Sequence, residues 1–268
     1  MKMFQNELLS SYPVNRIILV GASNLTLSLR MIIQHIQGSV GGPSEILVAA
    51  GHGRSYGLSS QVMIRELPGI VRCGLWEQLS TRVIIPSYAL LTDIGNDIPY
   101  GVCPEQILQW VTWCVDELTK ASAQIVITNL PIESIEALSN RRFQFFRHLF
   151  FPSCTLSRIE VVSRAKVVYQ GIATLAQQKQ LILCEQSRQW MGADGFHVAF
   201  MKREQVFRQL CNHFVGTDED LSSVPKQSEL RLSWQQRPRF ALQRVWGKEK
   251  CCQQPSGLLS NQATVSLY

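Results

Sequence analysis

Short runs of apolar, β-branched residues recur through the first 216 residues of this chain, separated by longer stretches with helical periodicity, and few folds accommodate that alternation. Arg16–Val20, Glu45–Ala49, Ala89–Asp93, Gln124–Thr128 and Gln180–Cys184 read as strands, apolar nearly throughout as strands buried on both faces must be. Helices are predicted over residues 24–37, 104–120, 157–178 and 199–214. The second opens on Pro104, a residue suited to the first helical position, and the third carries Ser157 and Glu160 at capping-box spacing. Strands alternating with helices predict an α/β fold with a five-stranded parallel sheet covered on both faces, in three α/β/α layers. Ligands in such sheets bind at the carboxyl ends of the strands.

The remaining composition narrows the function classes. The formal net charge is +6, but no run of five or more like charges marks a nucleic-acid arm, so no nucleic-acid partner is expected. The eight cysteines show no CxxC pair and no Cys/His ligand spacing, so neither a metal nor a redox motif is expected, and no cofactor is called for. The opening residues lack an apolar leader core and no run approaches a membrane span, which predicts a cytoplasmic protein with reduced thiols. After residue 216 the periodicity fails. Residues 217–268 are rich in Gln, Ser and Arg and read as a disordered or loosely docked tail, separate from a domain over 1–216 and dispensable to its fold.

Four motifs fall at strand carboxyl ends or just beyond the last strand. Gly21-Ala22-Ser23-Asn24-Leu25 turns the first strand into the first helix; Ser23 there presents its hydroxyl at the sheet edge and its N–H at a helix N-terminus, although taken alone it reads as an N-cap. Gly51-His52-Gly53-Arg54-Ser55 follows the second strand, where glycines let backbone N–H groups approach a ligand, or simply make a turn. Asp93-Ile94-Gly95-Asn96-Asp97 follows the third; Asn96 can donate its amide to an oxyanion or form an Asx-turn. Asp194-Gly195-Phe196-His197 follows the fifth, and an Asp three residues before a His can curl back onto Nδ1 and leave Nε2 free to take a proton from a serine.

Together these blocks resemble the SGNH (GDSL-like) hydrolase family over roughly residues 16–214. The resemblance implies a flavodoxin-like sandwich and hydrolysis of a small-molecule carboxylic ester through an acyl-serine. By position it implies Ser23 as nucleophile, His197 as general base and acid, and Asp194 as the residue that orients it. It implies an oxyanion hole from the Ser23 N–H, a glycine N–H (Gly53, with Gly51 second) and the Asn96 amide. Two positions depart from the family pattern: Ala22 stands where an Asp is usual, and Gly95 lies one residue from the expected place before Asn96-Asp97. An acyltransferase with the same Ser-His-Asp site and a catalytically silent binding protein of the same fold are the alternatives.

Two further segments need weighing. Gly53-Arg54-Ser55-Tyr56-Gly57 matches the G-x-S-x-G nucleophile elbow, but too few strands precede it and the acid lies too close to its His, so Ser55 is rejected as nucleophile. The stretch Arg141–Phe151 holds five phenylalanines; a helix burying them in the core is the preferred reading, an acyl-binding wall the other.

Overall fold

The computed structural model of the chain describes residues 13–214 and 231–268. All five expected strands form: β1 (Asn15–Val20), β2 (Ser44–Ala49) and, beyond a short hairpin β3 (Ser60–Val62) and β4 (Arg65–Leu67), β5 (Ser87–Leu91), β6 (Ala123–Thr128) and β7 (Ile182–Cys184). They pair in parallel, with Ile17 opposite both Ile46 of β2 and Tyr88 of β5. Every residue of β1 and of β2 is buried, because helices lie on both faces. Alternation along β1 divides the core. Ile18 and Val20 join Leu47, Ala89 and Leu91 under α3 (Pro104–Lys120) and α6 (Arg158–Lys179). Ile17 and Leu19 join Ile46 and Val48 under α1 (Ser23–Val40) and α7 (Arg203–Cys211). Three further helices lie among the described residues: α2 (Leu75–Ser80), α4 (Ile132–Glu136) and α5 (Asn140–Phe150).

The sheet is larger than five strands, and it is mixed. Its order is β7-β6-β5-β1-β2-β12-β11-β8, where β8 is Trp234–Gln236, β11 Gly257–Leu259 and β12 Thr264–Leu267. β12 runs parallel to β2, with Val265 opposite Ile46 and Leu267 opposite Val48, and β11 and β8 follow antiparallel. A second sheet has the order β10-β9-β4-β3 and joins β9 (Leu242–Val245) and β10 (Lys248–Cys251) to the hairpin that leaves β2. The expectation of a disordered or loosely docked tail therefore does not hold for residues 231–268; residues 217–230 lie outside the described residues. The reason is an edge. In a five-stranded sheet β2 would offer a fully buried, unpaired strand to solvent, and β12 covers it with Val265 and Leu267.

Among the described residues no helix is long and apolar enough to cross a membrane.

Candidate active site

Ser23 is the first residue of α1, and its side chain does not cap the helix. The capping is done from another strand. Asp93, just beyond β5 and in the left-handed conformation at φ 60°, accepts the Ala22 N–H at 2.7 Å and the Leu25 N–H at 3.4 Å on one carboxylate oxygen. Its other oxygen accepts the Asn24 amide at 2.8 Å. Ala22 cannot provide an acidic side chain, and the carboxylate at this helix start comes from Asp93. The Ser23 hydroxyl is left half-buried and open to the cavity beside it.

The loop after β2 reaches Ser23 through Gly53, whose N–H donates to Ser23 Oγ at 3.3 Å. Gly53 has φ +61°, and a Cβ there would stand 2.6 Å from Val62 Cγ2. Both the conformation and the space demand glycine. The Tyr100 hydroxyl donates to the Gly53 carbonyl at 2.6 Å and fixes the peptide from the other side. Gly51 lies deeper, buried, and its carbonyl accepts from the Arg54 N–H. Of the two glycines, Gly53 is the one whose N–H faces the serine.

Asp194 and His197 form the expected pair. The carboxylate accepts His197 Nδ1 at 2.8 Å, and its other oxygen accepts the backbone N–H of His197 at 2.9 Å and of Phe196 at 3.1 Å. Burial works to raise the Asp194 pKa, but these hydrogen bonds outweigh it and hold the carboxyl below its usual range. Gly195, at φ +82°, makes the tight return that brings His197 back over Asp194. Asn24 ties this loop to the start of α1: its Nδ2 donates to the Phe196 carbonyl at 3.1 Å, and its Oδ1 accepts the Val198 N–H at 2.8 Å. Ser23 and His197 line the same cavity, yet Ser23 Oγ forms no hydrogen bond with His197 as the side chains stand.

Asn96 also lines this cavity, and its amide donates a long bond of 3.4 Å to the Arg54 carbonyl. Asp97 faces inward instead. Fully buried, it accepts the Ser55 hydroxyl and, at 2.9 Å, the Tyr56 N–H, and burial pushes its pKa to about 6. Ser55 is itself fully buried and also accepts the N–H groups of Gly57 and Leu58, so it is a loop-building hydroxyl far from the role of the elbow serine.

Beyond Ser23 the cavity deepens between α4, α5 and α6. Ile94, Ile98, Leu130, Ile135 and Leu138 form its floor and Phe143, Phe146 and Phe151 its wall. The preferred reading of the phenylalanine stretch is corrected here, because no residue of α5 is buried in the core. The helix holds too few apolar residues per turn on one face to sit inside, with Arg141, Arg142, Arg147 and His148 spread around it. An aromatic chain runs along it to the histidine: Phe146 stacks with Phe150 at 6.1 Å, and Phe150 meets His197 edge-on at 5.3 Å.

Among the described residues no group of three or more His, Cys, Asp or Glu side chains is arranged to hold a metal ion. Sequence reasoning assigned no role to Asp93, Asn24, Arg54 or Tyr100, although the first three fall within the motifs it singled out. Asp93 alone left a signal, since it sits at a strand end where the neighbouring motif lacks its usual acid.

No protein-family model matches the chain, and no curated protein matches it in sequence. Solved structures share the fold. A carbohydrate acetylesterase family member from Sinorhizobium meliloti aligns over 74% of this chain and 96% of its own, with a TM-score of 0.51 and 15% identity. The native aryl esterase of M. smegmatis aligns over 74% and 97%, with a TM-score of 0.50 and 13% identity. This chain thus shares its fold with a carbohydrate acetylesterase family member and an aryl esterase, at an identity too low to carry chemistry across.

Proposed function

We propose that the protein is a serine ester hydrolase acting through an acyl-serine at Ser23. The observation that carries this reading is the junction of three independent loops. Ser23 Oγ receives the Gly53 N–H at 3.3 Å, while the Asp194–His197 pair, bonded at 2.8 Å, borders the same apolar cavity. Neutral His197, held with its Nδ1–H on Asp194, keeps Nε2 available to take the Ser23 proton as Oγ attacks the ester carbon. The imidazolium that forms is stabilised by Asp194 and returns its proton to the leaving alcohol. A water deprotonated by the same nitrogen then releases the acid and restores the serine. Negative charge on the carbonyl oxygen develops at the N-terminus of α1, where the Ser23 N–H, the Gly53 N–H and the Asn96 amide are the available donors. The apolar cavity suits an ester with an apolar substituent of appreciable size.

The test is covalent labelling. A fluorophosphonate probe, which forms a bond from its phosphorus to an activated serine oxygen and expels fluoride, should modify Ser23. Ser23→Ala should lose both labelling and turnover of a chromogenic ester, and Ser55→Ala, if folded, should keep its label on Ser23. A label that maps to Ser55 would overturn the assignment.

A further inference from the structure

We infer that Arg54 is a positioning residue for the oxyanion donors, and that segment 231–268 completes the site by holding it in place. The inference rests on the hydrolase reading above and adds to it a residue to which no motif gives a role, together with a segment outside every motif.

Arg54 follows Gly53 directly and is fully buried. A buried guanidinium is expensive unless its donors are used, and their direction tells what the side chain secures. Nη1 donates to the Ala50 carbonyl at 3.2 Å and to the Tyr268 carbonyl, and Nε donates to the Pro68 carbonyl at 3.2 Å. Ala50 begins the loop that carries Gly53, Pro68 lies just past the hairpin that follows it, and Tyr268 just past β12. One planar fork therefore fastens both ends of the loop to the C-terminal segment. The backbone of the same residue faces the other way, since its carbonyl accepts the Asn96 amide. Arg54 thus stands between the two oxyanion donors that are not on α1. Gly53 is its neighbour in sequence and Asn96 its hydrogen-bond partner.

The C-terminal segment is gripped well enough to act as the anchor. Tyr268 N–H donates to Val48 at 2.8 Å, β12 pairs along Glu45–Val48, and β9 pairs with the hairpin through Arg65 and Glu66. Both strands that frame the Gly53 loop are therefore paired to residues more than 170 positions further along the chain.

A double-mutant cycle separates positioning from plain structural support. Arg54→Lys keeps a buried cation but cannot form the three-way fork. It should fold and lower kcat about tenfold with KM within about twofold, the pattern of a donor displaced from the transition state. Asn96→Ala alone should lower kcat by roughly 10²–10³. The combined variant should be little worse than Asn96→Ala, because both changes act on one oxyanion hole. Multiplied losses, or a lowered melting temperature with kcat intact, would overturn the positioning role. Absence of turnover and of probe labelling in the wild-type protein would instead overturn the hydrolase reading together with it.

Discussion

At the scale of single residues, the group that joins the two halves of the site is Asn24. Its three hydrogen bonds run to Asp93, Phe196 and Val198, so one amide spans the start of α1, the end of β5 and the His197 loop. Asn24→Ala would strand the buried Val198 N–H and one oxygen of Asp93, a loss of about 1–3 kcal/mol for groups left without partners. The expected outcome is a lower urea midpoint with an unchanged m-value, and a kcat reduced at least about tenfold as the two loops lose their common reference. A folded variant with full kcat would show that the loops hold their relation without Asn24. The legibility of these residues follows from distance along the chain. Asp194 and His197 could be read from sequence because the pair is local and obeys turn geometry. Ser23, Gly53 and Asn96 could be read because each sits at a strand end. Asn24, 174 positions from Val198, and Arg54, 214 from Tyr268, act through contacts that no local pattern records.

Among the elements, those with a period were legible and those without one were not. The five parallel strands and the helices α1, α3, α6 and α7 show sustained apolar patterns, and α3 begins on Pro104 and ends on Lys120 as expected. The strands β3, β4 and β8–β12 are three or four residues long, and β10 is exposed along its length. Such strands are specified by the edges they meet rather than by their own composition. α5 is the instructive case, because its phenylalanines suggested a core, whereas two of them, Phe143 and Phe146, border the cavity. Phe146 lines the cavity and stacks on Phe150, which touches His197. Phe146→Ala should therefore raise KM severalfold for an ester with a bulky apolar acyl group and leave an acetate ester nearly unaffected, since only the larger substrate reaches the wall. Parallel changes for both esters would place the substrate elsewhere.

For the whole molecule, the consequential fact is that one sheet runs through both parts of the chain. Deleting residues 231–268 would remove β12 and with it the cover of Val265 and Leu267 over the β2 edge. Each fully buried aliphatic side chain contributes roughly 1.5–3 kcal/mol, against a total of about 5–15 kcal/mol for a typical domain. The truncated chain should be insoluble, or melt at least about 10 °C below the full protein, as followed by circular dichroism. A truncated protein with unchanged melting temperature would return the segment to the status its composition suggested.

The pairing of β12 with β2 also sets an order in time. Thr264 lies opposite Glu45, so this strand pair closes only after more than two hundred intervening residues have been made. On a ribosome adding about 5–20 residues per second, the stretch from Asn15 to Ala49 emerges many seconds before its neighbour exists. During that interval the nascent chain holds an apolar parallel strand with a bare edge, the situation most exposed to pairing with the wrong partner. Arg54 has no Tyr268 carbonyl to donate to until the same moment. The Gly53 loop is therefore completed only once residues 231–268 have been made, and a chain stalled before residue 231 should remain vulnerable to protease and hold an unassembled site.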